Sequence, residues 1–132
     1  IPAAEISCMF NMDMVGRLKP ERTLAINGTG TSPFWEKNIK KINKKLPQSF
    51  ELVLSQSGVG PSDHTSFYNI GIPAIHFFTG QHGEYHKPTD TPDKINYPLM
   101  AKRAQLVYYT AWEMANRNDM LKRDLKLEIP PR

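Results

Sequence analysis

Three stretches of the chain gather side chains that could do chemistry. The first is Asn11-Met12-Asp13-Met14-Val15-Gly16, where a carboxylate stands among apolar neighbours. Burying a lone charge is costly unless it is paired or bound to metal, so Asp13 is either a metal ligand or a strand-end residue capping a turn. The second is Asp63-His64, which follows a glycine-rich loop. It reads as the first turn of a helix, steadied by the helix dipole, or as the lining of a site. The third is the segment 80–93, GQHGEYHKPTDTPD, with two histidines, three acids and a tyrosine in fourteen residues. Zinc accepts imidazole and carboxylate ligands, and a ligating histidine needs an acceptor to hold its other ring nitrogen. The segment offers both kinds of group, with His86 beside Tyr85. It lacks the fixed spacing of a zinc finger or an HExxH helix. By residue chemistry alone a metal site and a polar surface loop both stay open.

These groups need a scaffold, and the chain supplies one in alternating pieces. Residues 4–15 are apolar and β-compatible and read as a buried strand ending near Asp13, with 23–27 as a second strand closed by Gly28-Thr29-Gly30. Ser32-Pro33 supplies a cap and a first-turn proline for a helix to about Leu46, whose apolar face is Trp35, Ile39, Ile42 and Leu46. Residues 50–55 form a third strand. Ser62 is placed to cap a short helix through Asn69, with Gly71 just past its end. Residues 73–79 read as a buried strand. A long helix over 97–117 follows, expected to bury Met100, Ala104, Val107, Ala111 and Met114. Residues 118–132 read as a charged tail at the surface. Strands alternating with helices predict an α/β layered fold, a sheet with a mainly parallel core flanked by helices, over a single domain. In such sheets, ligands bind in loops beyond the carboxyl ends of strands, and the three polar stretches follow strands.

Composition narrows the function classes. The chain has 132 residues, 39% of them hydrophobic, with a net charge of +4. That is enough apolar material for one buried core and too much for a disordered chain. The basic runs 37–45 and 122–126 read as a solvated helix face and part of the tail. Nucleic-acid binding would want a basic stripe interleaved with exposed aromatics, which is not visible. The single cysteine, Cys8, excludes an intrachain disulfide and sits in an apolar run as an inert thiol. No apolar stretch is long enough to span a bilayer. A start at Ile1-Pro2 rather than Met is expected of a processed or partial chain.

Four strings resemble one known family. Asn11-Met12-Asp13-Met14-Val15-Gly16-Arg17 is similar to the strand end of zinc-dependent exopeptidases of the di-zinc aminopeptidase and plasma glutamate carboxypeptidase type. Gly60-Pro61-Ser62-Asp63-His64-Thr65-Ser66-Phe67, Gly71-Ile72-Pro73-Ala74, and Tyr85-His86-Lys87-Pro88-Thr89-Asp90-Thr91 with Asp93-Lys94-Ile95 resemble three further segments, in the same order. Any one string is weak; the ordered set is strong.

The resemblance implies the C-terminal part of a catalytic domain with two water-bridged zinc ions. Asp13 would be a ligand of one zinc and His86 of the other. Tyr85 would stabilise the developing oxyanion, with Asp63 and His64 in the site wall or just behind it. The family's upstream histidine, bridging aspartate and glutamate pair have no counterpart before Asp13. The chain alone is therefore expected to be inactive, to bind zinc weakly and to self-associate for want of the N-terminal half of the domain. The implied substrate is a peptide, and the implied location secreted or periplasmic. A single-zinc glutaminyl cyclase-like enzyme, and a metal-free binding module on the same fold, are the alternatives.

Overall fold

The computed structural model describes residues 1–17 and 23–123. Punctuating residues set its local structure. Gly28 has φ 86°, a left-handed conformation that favours glycine, and a Cβ there would lie 2.2 Å from the Ala74 carbonyl oxygen. The chain can turn at that point only because the side chain is absent. Pro73 precedes the last strand, and Gly71, at φ 82°, releases the chain from the short helix before it.

The elements run β1 (Met9–Asp13), β2 (Thr23–Asn27), α1 (Phe34–Lys45), β3 (Glu51–Ser55), α2 (His64–Tyr68), β4 (Ala74–Phe78) and α3 (Tyr97–Ala115). Short 3-10 turns occupy Ala3–Glu5, Thr29–Thr31 and Pro92–Lys94. The strands form one sheet in the order β1-β4-β2-β3. β1 pairs with β4 in parallel, β2 pairs with β3 in parallel, and the central β2–β4 pair is antiparallel. The layered α/β sheet is therefore mixed, two parallel ribbons set head to tail. Local strand patterns carry no information on which strand will pair with which.

The core lies on one sheet face. Leu24, Ile26, Ile75 and Phe77 meet Trp35, Ile39 and Ile42 of α1 and Leu106 and Val107 of α3. Phe10 stands edge-on to Trp35 and stacks on Phe77. The Thr31 hydroxyl ties this layer together. It lies 2.7 and 3.0 Å from the Gly28 and Ala74 carbonyls, and accepts from Trp35 Nε1 at 3.0 Å. The other sheet face carries α2, whose His64 ring stacks on His76 of β4 with centroids 4.4 Å apart.

Several expectations need correction. β1 is shorter than the run 4–15, because residues 3–5 form a 3-10 turn instead. α3 ends at Ala115, and its buried side chains are Arg103, Leu106, Val107 and Thr110; Ala104 is exposed. The buried face is rotated because Arg103, which looks like a surface cation in the sequence, is 1% exposed and donates Nη1 to the Val15 and Arg17 carbonyls at 2.8 Å. Of the tail, residues 118–123 are described and 124–132 lie outside the described residues. Leu121 is buried against the core rather than at the surface. Cys8 is half-buried, and burial pushes its thiol up to about 12, so it stays protonated at neutral pH.

Candidate active site

Parallel pairing aligns the carboxyl ends of β1 and β4. Asp13 is level with Phe78, so the end of β1 and the segment after β4 leave the sheet side by side. β3 points the other way, and its end at Ser55 is level with Asn27 and hence with His76, further down the sheet. Asp63-His64 opens the short helix, as expected, but the loop before it has to return from the far end of β3. Residues 56–61 run back along the sheet and deliver Ser62 to Asp13.

The three segments enclose a cleft of about 460 Å³. Asp13, Asp63, Tyr85 and His86 line it together with Asn11, Met12, Met14, Ser62, His82 and Asp90. His64 is not in that lining; it is fully buried behind it, against His76. Among the described residues, the only side-chain-bearing residues with positive φ are Met14 (53°) and His86 (56°), and both line the cleft. Left-handed backbone at non-glycine residues is unusual and collects at functional sites.

Asp13 is held by a relay. Its Oδ2 accepts from Ser62 Oγ at 2.9 Å, and Ser62 Oγ accepts from Asn11 Nδ2 at 2.7 Å. Ser62 was expected to cap α2, but its hydroxyl serves the carboxylate instead. The signal was available: residues two apart on a strand share a face, which puts Asn11 beside Asp13. Nothing in the sequence tied Ser62 to them.

The turn after β1 is fixed at four successive carbonyls. Thr79 Oγ1 donates to Met14, Arg103 to Val15, the Asn96 amide to Gly16 at 2.9 Å, and Arg103 to Arg17. From that turn the Arg17 guanidinium reaches Asp90 Oδ1 at 2.5 Å and Glu84 Oε2 at 3.6 Å. Glu84 also meets Lys94 at 3.3 Å and His82 Nδ1 at 3.3 Å. The hydrogen bond from Lys94 holds the Glu84 carboxyl below its usual range, as the Thr91 hydroxyl does for Asp93. Tyr85 and His86 stack with ring centroids 4.0 Å apart, both exposed to the cleft.

Behind Asp13 the chemistry changes. His64 and His76 are buried, and both His64 nitrogens and His76 Nε2 lack a hydrogen-bond partner. Asn27 Nδ2 lies 3.2 Å from His76 Nδ1, which fits a ring with its proton on Nε2. Burial, and then the neighbouring His64, push His76 down to about 4, against the pull of Asp13; burial also lowers His64. Both rings are neutral at pH 7.

A sequence profile of peptidase family M28 matches residues 2–111. The chain belongs to peptidase family M28. This M28 chain is 28% identical over 118 residues to probable leucine aminopeptidases of Arthroderma benhamiae and Trichophyton verrucosum, covering 84% of its own length. It spans 31% of the length of each of those relatives. In structure it is similar to the LapA aminopeptidase of Legionella pneumophila, with a TM-score of 0.68 at 22% identity, covering 83% of this chain and 31% of that one. It is also similar to the aminopeptidase from Aneurinibacillus sp. strain AM-1, with a TM-score of 0.61 at 25% identity over 92% of this chain and 27% of that one.

Family members are in general zinc-dependent. The residues here fit part of such a centre. Asp13 and His86 are zinc-type donors on one cleft, and Asp13 is oriented through a hydrogen bond, as ligating carboxylates are. Among the described residues, no three His, Cys, Asp or Glu side chains come together to hold a metal ion. A catalytic zinc takes three protein ligands, more than Asp13 and His86 could provide between them. No helix among the described residues is long and apolar enough to cross a membrane.

Proposed function

We propose that this chain is the His86-bearing part of a metallo-exopeptidase that removes N-terminal residues from peptides, with Asp13 and His86 each serving one of two zinc ions. The observation that carries the reading is the cleft shared by Asp13, Tyr85 and His86 in a chain that belongs to peptidase family M28. Bound zinc would supply polarisation of the scissile carbonyl and a water acidic enough to attack at neutral pH. The chain's own residues then have distinct tasks. Asp13 and His86 provide the donors. Tyr85, stacked on His86, presents a hydroxyl toward charge that develops on the carbonyl oxygen. Asp63 lines the wall of the cleft. His64 lies outside it and helps form the buried floor behind Asp13.

The remaining donors and the general base are not supplied by any cluster of metal-type side chains among the described residues. In this reading they come from the part of the relatives that the chain does not span. The 132 residues alone are then inactive and weak zinc binders, and their free β1 edge and exposed helix faces favour self-association. Two measurements test this on the purified chain: zinc stoichiometry by elemental analysis, and mass by light scattering. Little zinc and a mass above the monomer are expected. One tightly held zinc per monomer would mean that the ligand set is already complete, and the reading would fail.

A further inference from the structure

We infer that Arg17 is a positioning residue, strapping the segment that carries Tyr85 and His86 to the rigid turn after β1. The inference rests on the proposed role of that segment. Arg17 has no place in the cleft lining, and its ion pairs go to Glu84 and Asp90, the residues that bracket Tyr85 and His86. Glu84 immediately precedes Tyr85, and Asp90 lies four residues after His86.

The two ends of the strap are held very differently. On the β1 side, four successive carbonyls accept hydrogen bonds, two of them from the buried Arg103, so the Arg17 backbone is fixed. On the other side, residues 81–93 are braced mostly by their own turns. Tyr85 N donates to His82 O, Lys87 N to Glu84 O and Asp90 N to Lys87 O; Lys87 Nζ donates to Gly83 O. Such local bonds keep a segment's shape without fixing where it sits. Lys94 holds Glu84 and the Thr89 carbonyl, but it lies at the segment's own base, as does Tyr97, which donates to Pro92 O. Among the described residues, only Arg17 pairs with this segment from a distant part of the chain. Its side chain is 14% exposed, so water weakens the pair less than it would at the open surface. A guanidinium can engage both acids at once, which an ammonium does less well.

The test uses the full-length protein with Arg17→Gln, Arg17→Lys and Asp90→Asn. Asp90→Asn removes the same pair from the other side and leaves the β1 turn untouched. The readouts are amide hydrogen exchange of residues 84–90, zinc affinity, and kcat and KM on a peptide substrate. Arg17→Gln and Asp90→Asn should each raise exchange in 84–90 at least tenfold, with β2 and α1 unchanged. They should also weaken zinc binding and lower kcat about 10- to 100-fold with little change in KM, since a misplacement of about 1 Å can cost 100-fold. Arg17→Lys should recover part of each effect, which a general packing defect would not predict. The double variant should be no worse than Arg17→Gln alone. Unchanged exchange in both single variants would overturn the strap. Raised exchange with unaltered zinc affinity and hydrolysis would leave the strap standing and overturn the reading of the site.

Discussion

Asp13 and His86 face the same cleft from opposite kinds of mounting. Asp13 ends a strand paired along its length with β4, and its carboxylate is braced through Ser62 and Asn11. His86 sits on an exposed segment at φ 56°, fastened by ion pairs rather than by a sheet. Strand geometry fixes a side chain through many cooperative bonds, whereas an ion-paired loop depends on few contacts, which salt and mutation can weaken. The difference teaches where precision is built in and where adjustment remains: one wall of the cleft is rigid, and the other is set by a strap.

The largest effect should come from removing either donor. His86→Ala and Asp13→Ala in the full-length protein should each abolish peptide hydrolysis, but thermal melting should separate them. With zinc removed by chelation, so that metal loss does not itself lower stability, His86→Ala should leave Tm nearly unchanged, because the side chain is exposed and stacks on Tyr85, while Asp13→Ala should lower it by disrupting the Ser62 relay. A larger drop in Tm for His86→Ala would reverse the comparison.

Next comes the ring beside His86. Tyr85→Phe should keep zinc content and KM while lowering kcat about 100- to 1000-fold, the cost of one lost oxyanion donor. Zinc loss on elemental analysis would show that the hydroxyl holds the site together instead of acting on substrate.

The rigid wall has a weakness in acid. The folded His76 titrates near 4, below its ordinary value of 6.5. The unfolded chain therefore takes up the proton first as pH falls. Stability is fully present above about 6.5 and drains away between 6.5 and 4, at about 1.4 kcal/mol per unit of that difference. Urea unfolding across this range should show the decline, and His76→Phe should lessen it, leaving the share that comes from the buried His64. An equal slope in the variant would place the acid sensitivity elsewhere.

The smallest change sharpens the comparison. Ser62→Ala should weaken zinc binding about 10- to 100-fold, the usual cost of losing a group that orients a ligand. Hydrogen exchange in residues 84–90 should not change, because the Ser62 hydroxyl bonds to Asn11 and Asp13 on the strand side. Loosening there would mean that the two mountings are coupled.

How far these features were legible in the sequence depended on the physics behind each. Strands and helices stood out wherever glycine and proline punctuated apolar patterns; β2 was expected at 23–27 and lies at Thr23–Asn27. Of the residues lining the cleft, Asp13, Asp63, Tyr85 and His86 stood out as polar groups after strands, and it was the resemblance to zinc exopeptidases that gave them roles. The antiparallel centre of the sheet was not legible, since partner choice is decided by contacts between distant segments. Arg103 was passed over for a related reason. An arginine among helix positions reads as solvent-facing, and only the assembled turn at 14–17 shows which carbonyls its buried guanidinium serves. The resemblance put His64 in the site wall or just behind it; consecutive helical residues point in different directions, and this one lies behind, facing His76.

The strand order has a consequence for how the chain must come together. β4, which follows the other three described strands in the chain, lies between β1 and β2. Met9 has to wait for Ala74, and the ribbon of β2 and β3 can form earlier but has nothing to join it to β1. On a ribosome adding about 5 to 20 residues per second, the first strand spends several seconds without its partner. A polypeptide cut short before residue 74 would hold two fragments of sheet and no cleft. The middle strand therefore acts as the closing step of assembly, and Asp13 gains its final surroundings only when β4 is in place.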